Sequence, residues 1–127
     1  MWVALIATRG GTVWGLPKGL IEKDEKPLAT ALREVKEEAG LLGESVADLG
    51  YIEYWYRDSL TKVLYHKFVH YYFLSHEGGD VSAHDREVDE AHWFPIAEAI
   101  ERCSYENERD VLTRARVEWE KVSSKST

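Results

Sequence analysis

Three glutamates, Glu34, Glu37 and Glu38, stand at positions i, i+3 and i+4 of a segment with helical periodicity, so they share one helix face. Like charges at this spacing repel and destabilise an isolated helix by about 0.2–0.5 kcal/mol per pair. A divalent cation removes that repulsion, and Mg²⁺ is usually held by a few carboxylates together with substrate phosphates. The neighbouring Arg33 can orient a carboxylate through bidentate hydrogen bonds. On these glutamates alone a solvated acidic face is the commoner interpretation, and a metal site is the alternative.

The helix that must carry these glutamates is predicted over residues 27–39. Pro27 suits the first helical turn, where its missing N–H costs nothing. Gly40 suits the position after the last turn, where φ is often positive. Residues at spacings of three and four form one apolar stripe, which we expect to face the core: Leu28, Ala31, Leu32, Val35 and Ala39.

The segment from Gly19 to Leu41 resembles the Nudix box, the signature of metal-dependent hydrolases of nucleoside diphosphates linked to another group. It reads Gly19, five residues, Glu25, seven residues, then Arg33-Glu34-Val35-x-Glu37-Glu38-x-Gly40-Leu41. The fixed offsets of this box favour a metal site over a solvated face. The resemblance implies Mg²⁺ as cofactor, with Mn²⁺ as a possible substitute. It also implies the site residues: Gly19, Glu34, Glu37 and Glu38 as metal ligands, and Arg33, Glu37 and Glu38 in catalysis.

A further carboxylate, Glu87, lies six residues before Trp93. This stretch resembles the family's loop ahead of a Trp-bearing strand, which often brings another carboxylate to the metals. Glu87 is therefore predicted to bind an ion or to deprotonate the attacking water. The alternative is an exposed loop acid, and Glu90 is a weaker candidate for the same role.

The lead-in Trp14-Gly-Leu-Pro-Lys-Gly-Leu-Ile-Glu resembles that of dinucleoside polyphosphate hydrolases, although many of those have His where this chain has Leu20. Lys18 is predicted to meet a phosphate as a point charge. Aromatic side chains further along are candidates for stacking on a base, although strand aromatics more often belong to the core: Tyr54, Tyr56 and Tyr65. His66 and His70 are too far apart on a strand to hold one ion.

The remaining pattern predicts an α/β fold. Strands are expected at 2–7, 49–56, 62–74 and 91–94, with a short extended segment at 13–16. Because the 62–74 run is apolar on both faces, it is predicted to lie inside the sheet. Helices are expected at 95–102 and 108–121, the second with Val111, Leu112, Ala115 and Trp119 facing inward.

The Nudix resemblance implies an α/β/α sandwich, a mixed central sheet flanked by helices. Proteins of the family usually have a further strand before the one predicted at 2–7. This chain starts at Met1 immediately before that segment, so the family's first strand is apparently missing: either the true start lies upstream, or the sequence is truncated, or the sheet has one strand fewer. An unpaired edge there favours pairing with another chain, which leaves both a monomer and a homodimer open.

Length and composition fit one domain over residues 1–121 with a flexible tail over 122–127. A net charge of −7 argues against binding a nucleic acid polymer, but not against a small phosphorylated nucleotide. No apolar run is long enough for a membrane span. The single Cys103 excludes an internal disulfide and fits a cytoplasmic protein, with the thiol serving as a small buried apolar group.

The sequence therefore predicts a hydrolase that cuts a phosphoanhydride with water. The lead-in favours a dinucleoside polyphosphate such as diadenosine tetraphosphate as substrate. A nucleoside triphosphate pyrophosphatase, including one that clears oxidised nucleotides, is the second reading. Diphosphoinositol polyphosphates come third, because they call for a basic cleft. A nucleotide-sensing module without catalysis is the non-enzyme alternative.

Overall fold

The computed structural model describes residues 1–18 and 24–125, with the backbone alone at residues 54, 67, 124 and 125. The strands are β1 (Trp2–Thr8), β2 (Val13–Gly15), β3 (Leu41–Arg57), β4 (Leu64–Gly79) and β5 (Glu90–Pro95). The helices are α1 (Pro27–Ala39), α2 (Ile96–Arg102) and α3 (Glu106–Lys125), with a short 3-10 turn at Val81–Ala83.

Two antiparallel sheets carry the fold in the described ranges. The first has the order β2-β1-β5, with β1 in the middle, and the second is the hairpin of β3 and β4. The α/β architecture with flanking helices is confirmed. One mixed sheet was predicted, but within the described residues each strand pairing is antiparallel, and β3 and β4 pair only with each other. Adjacent β1 residues face opposite layers, as the period of two requires. Leu5 packs with α2 and α3, whereas Ile6 packs against the end of α1.

The placement of β4 differs from the prediction. The run at 62–74 was expected inside a sheet, but that prediction is wrong, since among the described strands β4 pairs only with β3. One face of β4 packs into the core, where Tyr71 is buried in a cluster with Val111 of α3. The other face carries aromatic side chains that contact one another along the hairpin. Phe68 is 58% exposed and packs against Tyr51 and His66 at ring distances of 5.8 and 4.6 Å. The apolar residues on the two faces of β4 therefore have different partners, the core against α3 on one face and aromatic neighbours of the hairpin on the other.

The second long helix is longer than predicted. α3 starts at Glu106 and continues through Lys125. Val111, Leu112 and Ala115 are buried as expected, but Trp119 is 42% exposed, so its assignment to the inner face is wrong. By that point the helix has passed the end of the hairpin core, which reaches only to Ala115. No helix in the described part has the length and apolar character that a membrane crossing needs.

Two glycines, Gly40 at the end of α1 and Gly79 at the end of β4, lie in direct backbone contact. Gly40 closes α1 with φ of 72°, and its N–H bonds to the carbonyls of the last turn. Gly79 closes β4 with φ of 84°. A Cβ on Gly79 would collide with the Gly40 carbonyl oxygen, and one on Gly40 would collide with the carbonyl oxygen of Asp80. Asp80 in turn donates its N–H to the Gly40 carbonyl at 3.1 Å. This crossing fixes the end of α1 against the base of the hairpin.

Candidate active site

The α1 helix has the predicted bounds, and Ala39 is the one member of the predicted apolar stripe that is fully buried. Most of the stripe is only partly buried, and the most buried positions are Thr30, Glu34 and Ala39. Of the three glutamates, Glu34 is buried and Glu38 is partly buried, whereas the Glu37 side chain is 51% exposed. The burial of Glu34 and Glu38 disfavours the interpretation of a wholly solvated acidic face.

Glu34 and Glu38 lie side by side and interact directly. Burial, and after it a side-chain hydrogen bond with Glu34, raise the pKa of Glu38 to about 8 against a smaller lowering by the N–H of Lys18. Lys18 donates that N–H to Glu38 Oε2 at 3.3 Å. Two carboxyls that share a hydrogen bond hold a proton between them. The pair is therefore a proton-bridged dyad when no cation is bound.

The donor set of this dyad fits a divalent cation. Paired oxygens with restricted solvent access, which otherwise need a proton to coexist, are suited to a hard ion such as Mg²⁺. In the described ranges, no three His, Cys, Asp or Glu side chains are gathered tightly enough to enclose an ion. Substrate phosphate and water complete a typical Mg²⁺ shell, so two carboxylates are enough to begin one. Gly19, the predicted backbone ligand, lies outside the described residues.

Arg33 links three acidic residues of the box into one hydrogen-bonded network. It forms a bidentate pair with Glu25, with Nε–Oε2 at 2.8 Å and Nη2–Oε1 at 3.1 Å. Its Nη1 donates to Glu34 Oε1 at 2.6 Å and to Glu37 Oε2 at 3.2 Å. Thr30 also donates its hydroxyl to Glu25 at 2.7 Å. Arg33 therefore hydrogen-bonds to Glu25, Glu34 and Glu37 at once, which fixes the directions of these carboxylates.

A residue that the sequence analysis missed, Glu108, supports the lead-in. It lies in the first turn of α3, where its Oε1 accepts from the Lys18 ammonium at 2.6 Å and its Oε2 accepts from the Leu16 N–H at 2.6 Å. The sequence did indicate its burial, because Glu108 lies three and four residues before Val111 and Leu112 and so falls on the inner face of the helix. A carboxylate on an inner face needs a partner.

The loop of Glu87 lies against the C-terminal end of α1. The Asp85 N–H donates to the Glu37 carbonyl at 2.9 Å, and Asp85 Oδ1 accepts the Glu87 N–H at 3.1 Å. Glu87 itself is exposed, and Val88 next to it is buried as an anchor. Glu90 is directed elsewhere, with its Oε1 3.2 Å from His92 Nε2. The structure thus brings the Glu87 loop to the box helix, while the role of its carboxylate stays a prediction.

The aromatic candidates divide by location. A cavity of about 640 Å³ opens between the hairpin and the start of α3, and Tyr56, Lys18 and Glu108 are among its lining residues. Tyr65 stacks on Tyr56 with ring centres 5.2 Å apart, so it supports that ring from behind. The side chain of Tyr54 lies outside the described part. Tyr56 is therefore the candidate in contact with the cavity.

Comparison with known proteins agrees with this geometry. The family described as NUDIX domain matches residues 4–115, and the chain belongs to that family. It is 43% identical to the Mycobacterium tuberculosis protein MutT4 over 107 residues, 84% of this chain and 42% of that protein. It is 34% identical to the 8-oxo-(d)GTP phosphatase of Mycolicibacterium smegmatis over 80% of this chain and 29% of that protein. The chain thus spans less than half the length of these two relatives.

Two further similarities complete the comparison. The bis(5'-nucleosyl)-tetraphosphatase [asymmetrical] of Sus scrofa is 32% identical over 87% of this chain and 75% of that protein. The fold is similar to that of the E. coli dihydroneopterin triphosphate pyrophosphohydrolase, with a TM-score of 0.70 at 19% identity, over 87% of this chain and 82% of that one. The latter likeness shows the fold alone.

Because Glu34 and Glu38 share a proton, we predict that the stability of the folded protein depends on both pH and Mg²⁺. Because the folded protein keeps a proton on Glu38 up to a pKa of about 8, whereas the unfolded chain loses it near 4.5, the stability of the metal-free protein should fall as pH rises through this interval. Mg²⁺ should therefore raise the Tm more at about pH 9 than at about pH 5.5. Differential scanning calorimetry with and without Mg²⁺ measures both effects. Glu38→Gln should flatten them, and an equal Mg²⁺ shift at both pH values contradicts the prediction.

Proposed function

We propose that this NUDIX domain hydrolyses a phosphoanhydride bond of a nucleoside diphosphate-linked substrate in a metal-dependent reaction. The observation that carries the proposal is the Glu34–Glu38 dyad, which lies next to a lysine on the wall of a 640 Å³ cavity. Carboxylates for a cation and an ammonium for a phosphate are the groups that phosphoanhydride hydrolysis needs. The fold alone does not decide the activity, so the site supplies the argument.

The contacts of each residue suggest its role in the reaction. When bound, a divalent ion lowers the pKa of water and neutralises charge on the phosphates. Glu34 and Glu38 would hold the ion, and the more exposed Glu37 would contribute a further carboxylate from the same face of α1. Arg33 fixes the direction of Glu34 through the 2.6 Å hydrogen bond.

Groups on either side of α1 handle the phosphate and the proton. Lys18 binds phosphate from the cavity side. Glu87, whose loop is hydrogen-bonded to the end of α1, takes the proton of the attacking water. The water oxygen forms a bond to one phosphorus of the anhydride while the bond from that phosphorus to the bridging oxygen breaks, and the leaving pyrophosphate or nucleotide keeps the bridging oxygen.

Two substrate classes remain within this reaction. The first is a nucleoside triphosphate, including an oxidised one, supported by the 34% identity to an 8-oxo-(d)GTP phosphatase. The second is a dinucleoside polyphosphate, supported by the likeness to a tetraphosphatase of which the chain spans 75%. The lead-in through Lys18 supports the second class, and Leu20 in place of the usual His weakens it. The aromatic wall at Tyr56 suits a base in either case.

A substrate panel separates these classes. With Mg²⁺ or Mn²⁺, a triphosphate substrate should give a nucleoside monophosphate and pyrophosphate, whereas diadenosine tetraphosphate should give a mononucleotide pair. Chromatography of the products after incubation with 8-oxo-dGTP, dGTP and diadenosine tetraphosphate measures this, and Glu38→Gln serves as the inactive control. Tight nucleotide binding without any turnover by the intact protein would replace the hydrolase by the sensing module.

A further inference from the structure

Glu108 is a buried carboxylate that nothing in the metal site accounts for. It is 2% exposed, and both of its oxygens are occupied at 2.6 Å, by the Leu16 N–H and the Lys18 ammonium. The first turn of a helix favours a negative charge, and hydrogen bonds to a charged group are among the stronger ones. The carboxylate is therefore fixed in place by α3 on one side and by the lead-in on the other.

The backbone of the lead-in is built around this carboxylate. A Cβ on Gly15 would lie 2.8 Å from Glu108 Oε2 and 3.3 Å from Oε1, so only glycine admits the carboxylate at this distance. One step earlier, the Trp14 N–H donates to Ser104 Oγ at 3.0 Å, and the Ser104 N–H donates to the Trp14 carbonyl at 2.9 Å. The stretch from residue 104 to 108 thus holds the stretch from 14 to 18 along its length.

Lys18 connects this buried group to the metal dyad. Its N–H donates to Glu38 Oε2 at 3.3 Å, while its ammonium reaches Glu108 Oε1 at 2.6 Å. The same side chain lies on the wall of the cavity and is partly exposed. The distance between the ammonium and the dyad is therefore set by where Glu108 holds it.

We propose that Glu108 is a positioning residue, which holds the Lys18 ammonium at the place where it meets a substrate phosphate. This inference rests on the proposed function. A lysine meets phosphate as a point charge on a flexible stem, so the location of its nitrogen decides the strength of the contact. An ammonium has three donors, and Glu108 takes one of them within the described residues, which leaves donors for a phosphate.

Calorimetric titration with sodium tripolyphosphate in the presence of Mg²⁺ tests this without any need for turnover. Glu108→Gln keeps an acceptor for the Leu16 N–H but loses the ion pair, and it should weaken binding about 10-fold, as expected for one charged contact. Lys18→Met should cause a similar loss, and the double variant should be no worse, because both act through the same nitrogen. Glu106→Gln removes one exposed charge from the same turn of α3 and should bind like the wild type.

A second variant keeps the test decisive if Glu108→Gln does not fold. Gly15→Ala places a methyl group against Glu108 Oε2, displacing the carboxylate without removing any charge. It should weaken tripolyphosphate binding by a similar factor. In active variants KM should rise while kcat stays within about 3-fold, because a contact made equally before and during the reaction affects binding alone. A purely structural role would lower the Tm and leave this KM effect absent.

The outcomes separate the two proposals. Unchanged or tighter tripolyphosphate binding by Glu108→Gln, losses that add in the double variant, or no binding by the wild type each overturn the positioning role. Binding that depends on Glu108 and Lys18 as expected, in a protein that turns over no nucleotide, retains the positioning role and rejects the hydrolase.

Discussion

Replacing Glu87 by Gln is expected to lower kcat by about 10²–10⁴-fold, the usual contribution of general acid–base catalysis, with a smaller effect on KM. The reason is the position of its loop, which is hydrogen-bonded to the end of α1 through the Asp85 N–H and the Glu37 carbonyl. Initial rates over a range of substrate concentrations measure kcat and KM for the wild type and the variant.

Glu90→Gln is the matched control for Glu87. Both residues belong to the same stretch ahead of the buried part of β5, but the Glu90 carboxylate is 3.2 Å from His92 Nε2 and faces the Gly11 turn. It should change kcat much less. If Glu90→Gln is the more damaging variant, Glu90 is the base; if both variants work normally, the water is activated at the metal site and Glu87 has no catalytic role.

Replacing Glu38 by Gln is expected to lower kcat by at least about 10²-fold with the fold intact. Glu38 is half of the dyad with Glu34, so the change removes one of the two closest negative charges available to a cation. The loss should be partly recovered at raised Mg²⁺ concentration, because weaker metal binding is its cause. Steady-state kinetics over a Mg²⁺ titration and circular dichroism measure these effects together.

Glu37→Gln should also reduce kcat by about 10²-fold, since it removes charge from the same helical turn. Glu101→Gln, an exposed acid on α2, is the control for the general loss of a negative charge and should behave like the wild type. Near-normal rates for Glu38→Gln at low Mg²⁺ would remove the dyad from the metal site.

The parts of the structure that depend on local sequence agree with the sequence predictions. The α1 helix runs from Pro27 to Ala39 as expected, because proline at the start and a left-handed Gly40 at the end are signals within a few residues. Arg33 contacts the predicted carboxylates for the same reason, since its partners lie within one or two turns or at the fixed Glu25. Local spacing was enough for these features.

The features that the sequence could not predict depend on distant pairings. Glu108 meets Lys18 across 90 residues of chain, and no periodicity of either segment indicates that contact. Separation of the hairpin from the β1 sheet likewise depends on which edges meet in space. For β4, apolar residues on both faces are compatible with a central strand and with an aromatic ribbon, and composition does not distinguish the two.

The crossing of Gly40 and Gly79 also limits how the protein can change in length. Because the two backbones touch there, an extra residue at the base of the hairpin would displace the end of the box helix and its glutamates. The far end of the hairpin, at residues 59–63, is exposed and is not part of this joint. Insertions and deletions are tolerated best at such loop tips. The hairpin can therefore be lengthened or shortened there, by evolution or by an engineer, while the glutamates of α1 keep their positions.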